Sequence, residues 1–156
     1  MGRRPGSGRD GLEMKHILLA VDDSPAGLAA ARVAVEAAAA WTGELRAVHV
    51  LVDGAVQRAL ESRGGAAAVR GRRDLGAHAV LQHVTDLAER AGVAVETLAL
   101  EGQPARRILE QAGDWPADLI VLGGAGRGRV GQPYVGAQVQ QVLEFAQVPV
   151  LVVPPR

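Results

Sequence analysis

Cysteine is absent from this 156-residue chain, which excludes disulfides, thiol catalysis and Cys-ligated metals. Charge of one sign is also lacking. Lys+Arg is 17 and Asp+Glu is 17, a balance that argues against a dedicated nucleic-acid binder, whose domains carry a basic excess. No apolar run approaches the roughly 18 residues of a membrane span. Lysine occurs once, as Lys15, against sixteen arginines. Aromatic residues make up only 3%, while Ala, Val, Leu and Gly dominate, a composition suited to helices packed closely on a sheet.

Residues Met1 to Glu13 hold Arg3, Arg4 and Arg9 but no apolar core of a secretory signal. They read as a Gly/Arg/Ser tail without the hydrophobic residues that would repay ordering, and Met14 is an alternative start. The expectation is a tail over 1–13, one domain over 14–156, and a cytoplasmic location. That length suffices to bury about 70% of the unfolded surface in a single core.

Three apolar, β-branched runs stand out: Ile17 to Val21, Leu119 to Leu122 and Val148 to Val153. Leu45 to Val52 and Val93 to Leu100 are weaker. Short continuous apolar runs fit strands buried on both faces, hence parallel strands covered by helices. Helical spacing fills the gaps. Ser24-Pro25 offers a hydroxyl cap and a first-turn proline, followed by Leu28, Ala31, Val35 and Ala38, with Gly43 as the stop. A second stripe, Val80, Val84, Leu87 and Ala91, ends at Gly92. Pro104 opens a third helix bearing Ile108 and Leu109, and a fourth carries Val139, Val142, Leu143 and Ala146. The order β-α-β-α-β-α-β-α-β predicts a single open, doubly wound α/β sheet of five parallel strands with four helices and right-handed crossovers. Asp53 to Asp74, with Arg58, Arg63, Arg70, Arg72 and Arg73, reads as a loop leading into the second helix: a solvated linker, with an anion- or partner-binding flap as the alternative.

In such sheets the ligand crevice lies beyond the carboxyl ends of the strands at the topological switch point. Two strand ends carry suitable residues, Ala20-Val21-Asp22-Asp23-Ser24 and the glycine-rich Gly123 to Gly131. Glycines let backbone N–H groups approach phosphate oxygens, and a following helix N-terminus adds positive potential. Gly126-x-Gly128-x-x-Gly131 matches a dinucleotide fingerprint only as a string, since it follows the fourth strand and opens no helix. A P-loop is excluded because Lys15 precedes the first strand.

Another pattern fits better. Gly123-x2-Gly126-x9-Gly136, a helix, and then Val148-Pro149-Val150-Leu151-Val152-Val153 resemble the C-terminal signature of the universal stress protein family. Lys15-His16-Ile17-Leu18-Leu19-Ala20-Val21-Asp22-Asp23-Ser24 is similar to that family's opening strand, Val48-His49-Val50 to its second, and Asp118 to Gly123 to its fourth. The resemblance implies a Rossmann-like fold of the adenine-nucleotide alpha-hydrolase-like kind that dimerises and, in one branch, holds ATP. It assigns the nucleoside to Asp22 at the end of Ala20-Val21, the adenine to backbone around Val50, and the ribose and phosphates to Gly123, Gly126, Arg127, Gly128, Gly136 and Ala137. Where the nucleotide-binding pattern has Gly followed by Ser or Thr, this chain has Gly136-Ala137. A hydroxyl bond to phosphate contributes about 1.5–3 kcal/mol, so its loss weakens binding roughly 10- to 150-fold, which Arg127 and Arg129 offset in part.

The remaining candidates carry less. Asp22 and Asp23 lack the cluster a metal needs. His49, inside an apolar strand, reads as a core histidine bonded to backbone, with a catalytic base as the alternative. Ser24 has no Gly-x-Ser-x-Gly elbow, Trp41 and Trp115 read as packing lids, and Gln138, Gln140, Gln141 and Gln147 as the polar face of the last helix. Tyr134 fits either base stacking or a subunit contact. No residue is placed as an obvious general base, so any ATPase activity is expected to be weak and incidental. The expectation is a dimeric, adenine-nucleotide-binding (ATP, with Mg, or AMP) sensor or interaction module in stress response, without membrane or nucleic-acid partners. It would pair through the apolar edge strand at Val148, Val150 and Val152 and act on a protein partner that the residues do not identify. The alternative is a scaffold that has lost the nucleotide.

Overall fold

The computed structural model describes residues 14–52, 66–124 and 135–155. Five strands, β1 (His16–Ala20), β2 (Glu44–Val52), β3 (Val95–Gly102), β4 (Leu119–Gly123) and β5 (Val150–Val153), alternate with α1 (Pro25–Trp41), α2 (Ala66–Ala91), α3 (Pro104–Asp114) and α4 (Ala137–Phe145). The strands form one sheet in the order β3-β2-β1-β4-β5, and every pairing is parallel. This is the five-stranded parallel α/β architecture that the apolar runs predict. The order reverses direction between β1 and β4: the crossover from β1 leads to β2 on one side, and the one from β3 leads to β4 on the other.

Alternate strand residues feed two cores. Ile17, Leu19, Leu45, Ala47, Leu119 and Val121 pack under α1 and α2, whose stripes include Ala30, Ala34, Val35, Ala38, Val80 and Val84. Leu18, Val48, Ile120 and Leu122 pack on the other face under Ala105 and Ile108 of α3 and Val139 and Val142 of α4. Ile17, Leu18 and Leu19 are wholly buried, and each such side chain contributes about 1.5–3 kcal/mol by leaving water. At the opposite end of the sheet from the crevice described below, Asp118 Oδ2 accepts the backbone N–H groups of Lys15 and His16, both at 2.8 Å. Beside it Trp115 lies between His16, 4.9 Å away, and the Arg46 guanidinium, 4.8 Å away. Arg46 is in turn paired with Glu96 at 2.6 Å.

Four local expectations are corrected. Residues 66–74 are helical, because α2 begins at Ala66; the run Ala66-Ala67-Ala68 and interspersed arginines favour helix despite Gly71 and Gly76. The rest of the arginine-rich segment, with Arg58 and Arg63, lies outside the described residues. β3 runs two residues later than expected, with Val93 buried ahead of it. β5 begins at Val150 rather than Val148, since Pro149 has no N–H for the ladder and contributes only its carbonyl, to Ile120 N–H at 3.0 Å. Finally, α1 is ended by Thr42 in the left-handed region, φ 53°. Gly43 is needed instead for space, because a Cβ there would lie 2.9 Å from the Lys15 carbonyl oxygen.

Gly123 is under a tighter constraint than Gly43. A Cβ on it would sit 2.5 Å from the Ala26 carbonyl carbon and 2.7 Å from Gly27 N, so the first turn of α1 lies directly on the end of β4. Gly123→Ala is expected to push α1 away and cost about 1–3 kcal/mol, the usual penalty of overpacking, read as a lower urea midpoint. Asp118→Ala strands two strand-opening N–H groups and should cost about 1.5–3 kcal/mol; an unchanged midpoint would refute that anchoring role.

Candidate functional site

The switch between β1 and β4 opens into a crevice of ≈ 360 Å³ at the carboxyl ends of the strands, within the roughly 300–1,000 Å³ usual for small-molecule sites. Ala20, Val21 and Asp22 line it from β1, Val48, His49, Val50 and Val52 from β2, and Leu122 and Gly123 from β4. Pro104 and Ile108 of α3 and Gln138 and Val139 of α4 close it. The walls are thus mainly aliphatic, with Asp22, His49 and Gln138 as the polar residues. Among the described residues no cluster of His, Asp and Glu could hold a metal ion, and no helix is long and apolar enough to cross a membrane.

Asp22 is fixed by its neighbours. Its Oδ1 accepts the Ser24 N–H at 3.0 Å and the Ser24 hydroxyl proton. Ser24 Oγ in turn caps α1 by accepting from Gly27 N–H at 3.0 Å. A Cβ on Gly27 would collide with Asp22 Oδ1, so this turn also requires glycine. The Asp22 Oδ2 is left as an acceptor at the crevice. His49 Nδ1 lies 2.8 Å from the Val21 carbonyl; a carbonyl only accepts, so Nδ1 carries the proton. That bond is the backbone tie expected of a core histidine. The side chains of Val48 and Val50 pack on the α3/α4 face, so by strand alternation the His49 ring lies on the other.

Two helix N-termini meet the crevice, and they differ. At α3, Gln103 Oε1 accepts Arg106 N–H at 2.7 Å and Gln138 Oε1 accepts Ala105 N–H at 3.0 Å. Gln103 Nε2 completes the bridge to Gln138 Oε1 at 3.1 Å and Gln141 Oε1 at 2.7 Å. Pro104 has no N–H, so the first-turn donors of α3 are consumed. At α4, Gly136 is the N-cap, and among the described residues no side chain caps the helix. Its first amides remain as donors, and a helix N-terminus with free amides attracts anions.

The crevice therefore brings together Ala20, Val21, Asp22, Val50 and Gly123, while Gly136 and Ala137 stand at its α4 side. Gly126, Arg127, Gly128, Arg129 and Tyr134 lie outside the described residues. Gly123 is a glycine chiefly because α1 lies against it. The sequence reading missed the Gln103–Gln138 bridge; Gln138 is exposed on the last helix, as expected, and it borders the crevice as well. The signal was there: Pro104 and Gly136 mark two helix starts at the carboxyl edge, so their first-turn side chains border the crevice. On the outer side of α3, hydrogen bonds from Arg106 and then Arg107 hold the Glu110 carboxyl below its ordinary pKa.

Comparison with known proteins identifies the lineage. The model of the universal stress protein family matches residues 13–154. A universal stress protein of Methanocaldococcus jannaschii is 33% identical over 139 residues, 89% of this chain and 81% of that protein. Among solved structures, a universal stress protein in complex with cAMP is 22% identical with a TM-score of 0.69, covering 92% of this chain and 99% of that one. One from Archaeoglobus fulgidus in complex with dAMP is 20% identical with a TM-score of 0.65, over 92% and 99% of the two chains. With a family match over nearly its whole length and a relative above 30% identity, the chain belongs to the universal stress protein family.

Proposed function

We propose that this protein binds an adenine nucleotide, ATP with Mg or AMP, in the crevice and acts in the cytoplasm as a dimeric, ligand-dependent sensor or interaction module in stress response. The observation that carries the reading is the contrast between the two helix N-termini. With α3 capped by glutamine oxygens and α4 uncapped, the anionic end of a ligand is drawn to α4. The nucleoside then falls between the aliphatic walls and Asp22 Oδ2, which accepts from its hydroxyl or amino groups. The relatives bound to cAMP and dAMP support the class of ligand. Asp22 is held by Ser24 and is read as an acceptor for the nucleoside, so the reading is binding rather than turnover.

Ala137 favours a second reading, a dimeric scaffold that no longer uses a nucleotide, because it brings no hydroxyl to the start of α4. Pairing through β5 is common to both. Ile120 N–H and Gly124 N–H donate to the carbonyls of Pro149 and Val153, so alternation turns the backbone groups of Val150 and Val152 to the open edge. An unpaired apolar edge invites a second copy, and a symmetric dimer closes it.

Calorimetric titration of nucleotide-stripped protein with Mg-ATP is expected to give micromolar binding; no heat at millimolar ATP would overturn the nucleotide reading and leave the scaffold. Asp22→Ala should weaken ATP binding by about tenfold, the worth of one charge-assisted bond. Val152→Pro removes an outward N–H without a ladder bond to β4, and edge strands tolerate proline. By light scattering it should turn dimers into monomers, and persistent dimers would refute the edge interface.

A further inference from the structure

We infer that Gln138 is a ligand-contacting residue, whose side-chain amide donates to a phosphate oxygen of the nucleotide and supplies the donor that Ala137 lacks. The inference rests on the nucleotide reading above. Gln138 lines the crevice and is the second residue of α4, beside the uncapped amides. Its orientation is set by chemistry. Ala105 N–H and Gln103 Nε2 both donate to one atom of the Gln138 amide, at 3.0 and 3.1 Å, and only the oxygen can accept. The Nε2 is therefore the donor end of the amide, and no described residue takes its protons. A glutamine held by two bonds to its oxygen loses little further freedom when its nitrogen meets a ligand. The side chain of Ala137, one residue earlier, has no polar atom, so Gln138 is the first side-chain donor of the helix. The same amide thus closes the α3 terminus to anions and adds a donor at the α4 terminus.

Gln138→Glu separates this role from a structural one. The carboxylate keeps an oxygen for Ala105 N–H and one for Gln103 Nε2, but replaces the donor by negative charge. The expected result is a melting temperature at or above that of the parent, AMP and ATP affinities reduced at least tenfold, and adenosine affinity within about twofold. A second variant pair guards against indirect effects. Gln138→Ala should weaken AMP binding about tenfold, and adding Ala137→Ser should recover most of that loss by restoring a donor one residue away. If the parent protein binds neither AMP nor ATP at millimolar concentration, the nucleotide reading fails first. If it binds and Gln138→Glu leaves AMP affinity unchanged, or reduces adenosine affinity equally, the assignment of Gln138 to the phosphate is overturned.

Discussion

The close approach of α1 to the end of β4 sets the rest of the molecule. A side chain on Gly123 would occupy the space of the Ala26 and Gly27 backbone, so helix and strand meet main chain to main chain. Alanine makes up most of the buried face of α1, from Ala26 to Ala38, which lets the whole helix lie low on β1 and β4. Because the first turn is pinned there, the β1–α1 turn is short, and Asp22 and Ser24 are locked into their mutual bond at the switch point. The crevice then has its acid on a short, hydrogen-bonded turn, a placement that preserves its position when a ligand enters.

The second determinant is the glutamine bridge. Helix N-termini at the carboxyl edge of a parallel sheet all point the same way, and several open ends would make an anion site without direction. Here the polar ends are made unequal: Gln103 and Gln138 satisfy α3 from its own cap and from its neighbour, while α4 is left open. Neutral amides achieve this without placing a carboxylate in the crevice, which would oppose an anionic ligand. Among the described lining residues the one carboxylate, Asp22, stands just beyond the end of β1.

Much of the fold was legible because its determinants are local. Ile17 to Leu19 and Leu119 to Leu122 are continuous apolar runs, and Ser24-Pro25 and Pro104 announce helix starts by cap and ring chemistry. Where the sequence misled, a longer-range demand had prevailed. Gly43 resembled a helix stop, yet its absent side chain serves the passing backbone of Lys15, while Thr42 takes the left-handed turn. Val148 continued an apolar run, but Pro149 cannot begin a ladder with its nitrogen. Topology located the crevice through Asp22 and Gly123, and the family resemblance added Val50. The Gln103–Gln138 bridge was not, because a contact across 35 positions leaves no period and no motif, and a glutamine on a short helix looks like solvent-facing surface.

The short helix α4 links the two ends of this arrangement. Its nine residues begin at the crevice and are held to the sheet mainly by Val139 and Val142. Ala146 to Pro149 then lead directly into β5, with Val148, Val150 and Val152 packed on the same core as Val142. A helix anchored by two buried side chains owes much of its placement to what binds its ends. A ligand that engages the first turn at a concentration of 100 times its dissociation constant would stabilise the ordered form by about 2.7 kcal/mol. That is comparable with burying one of those valines. Occupancy of the crevice and the placement of the edge strand therefore bear on the same few packing contacts.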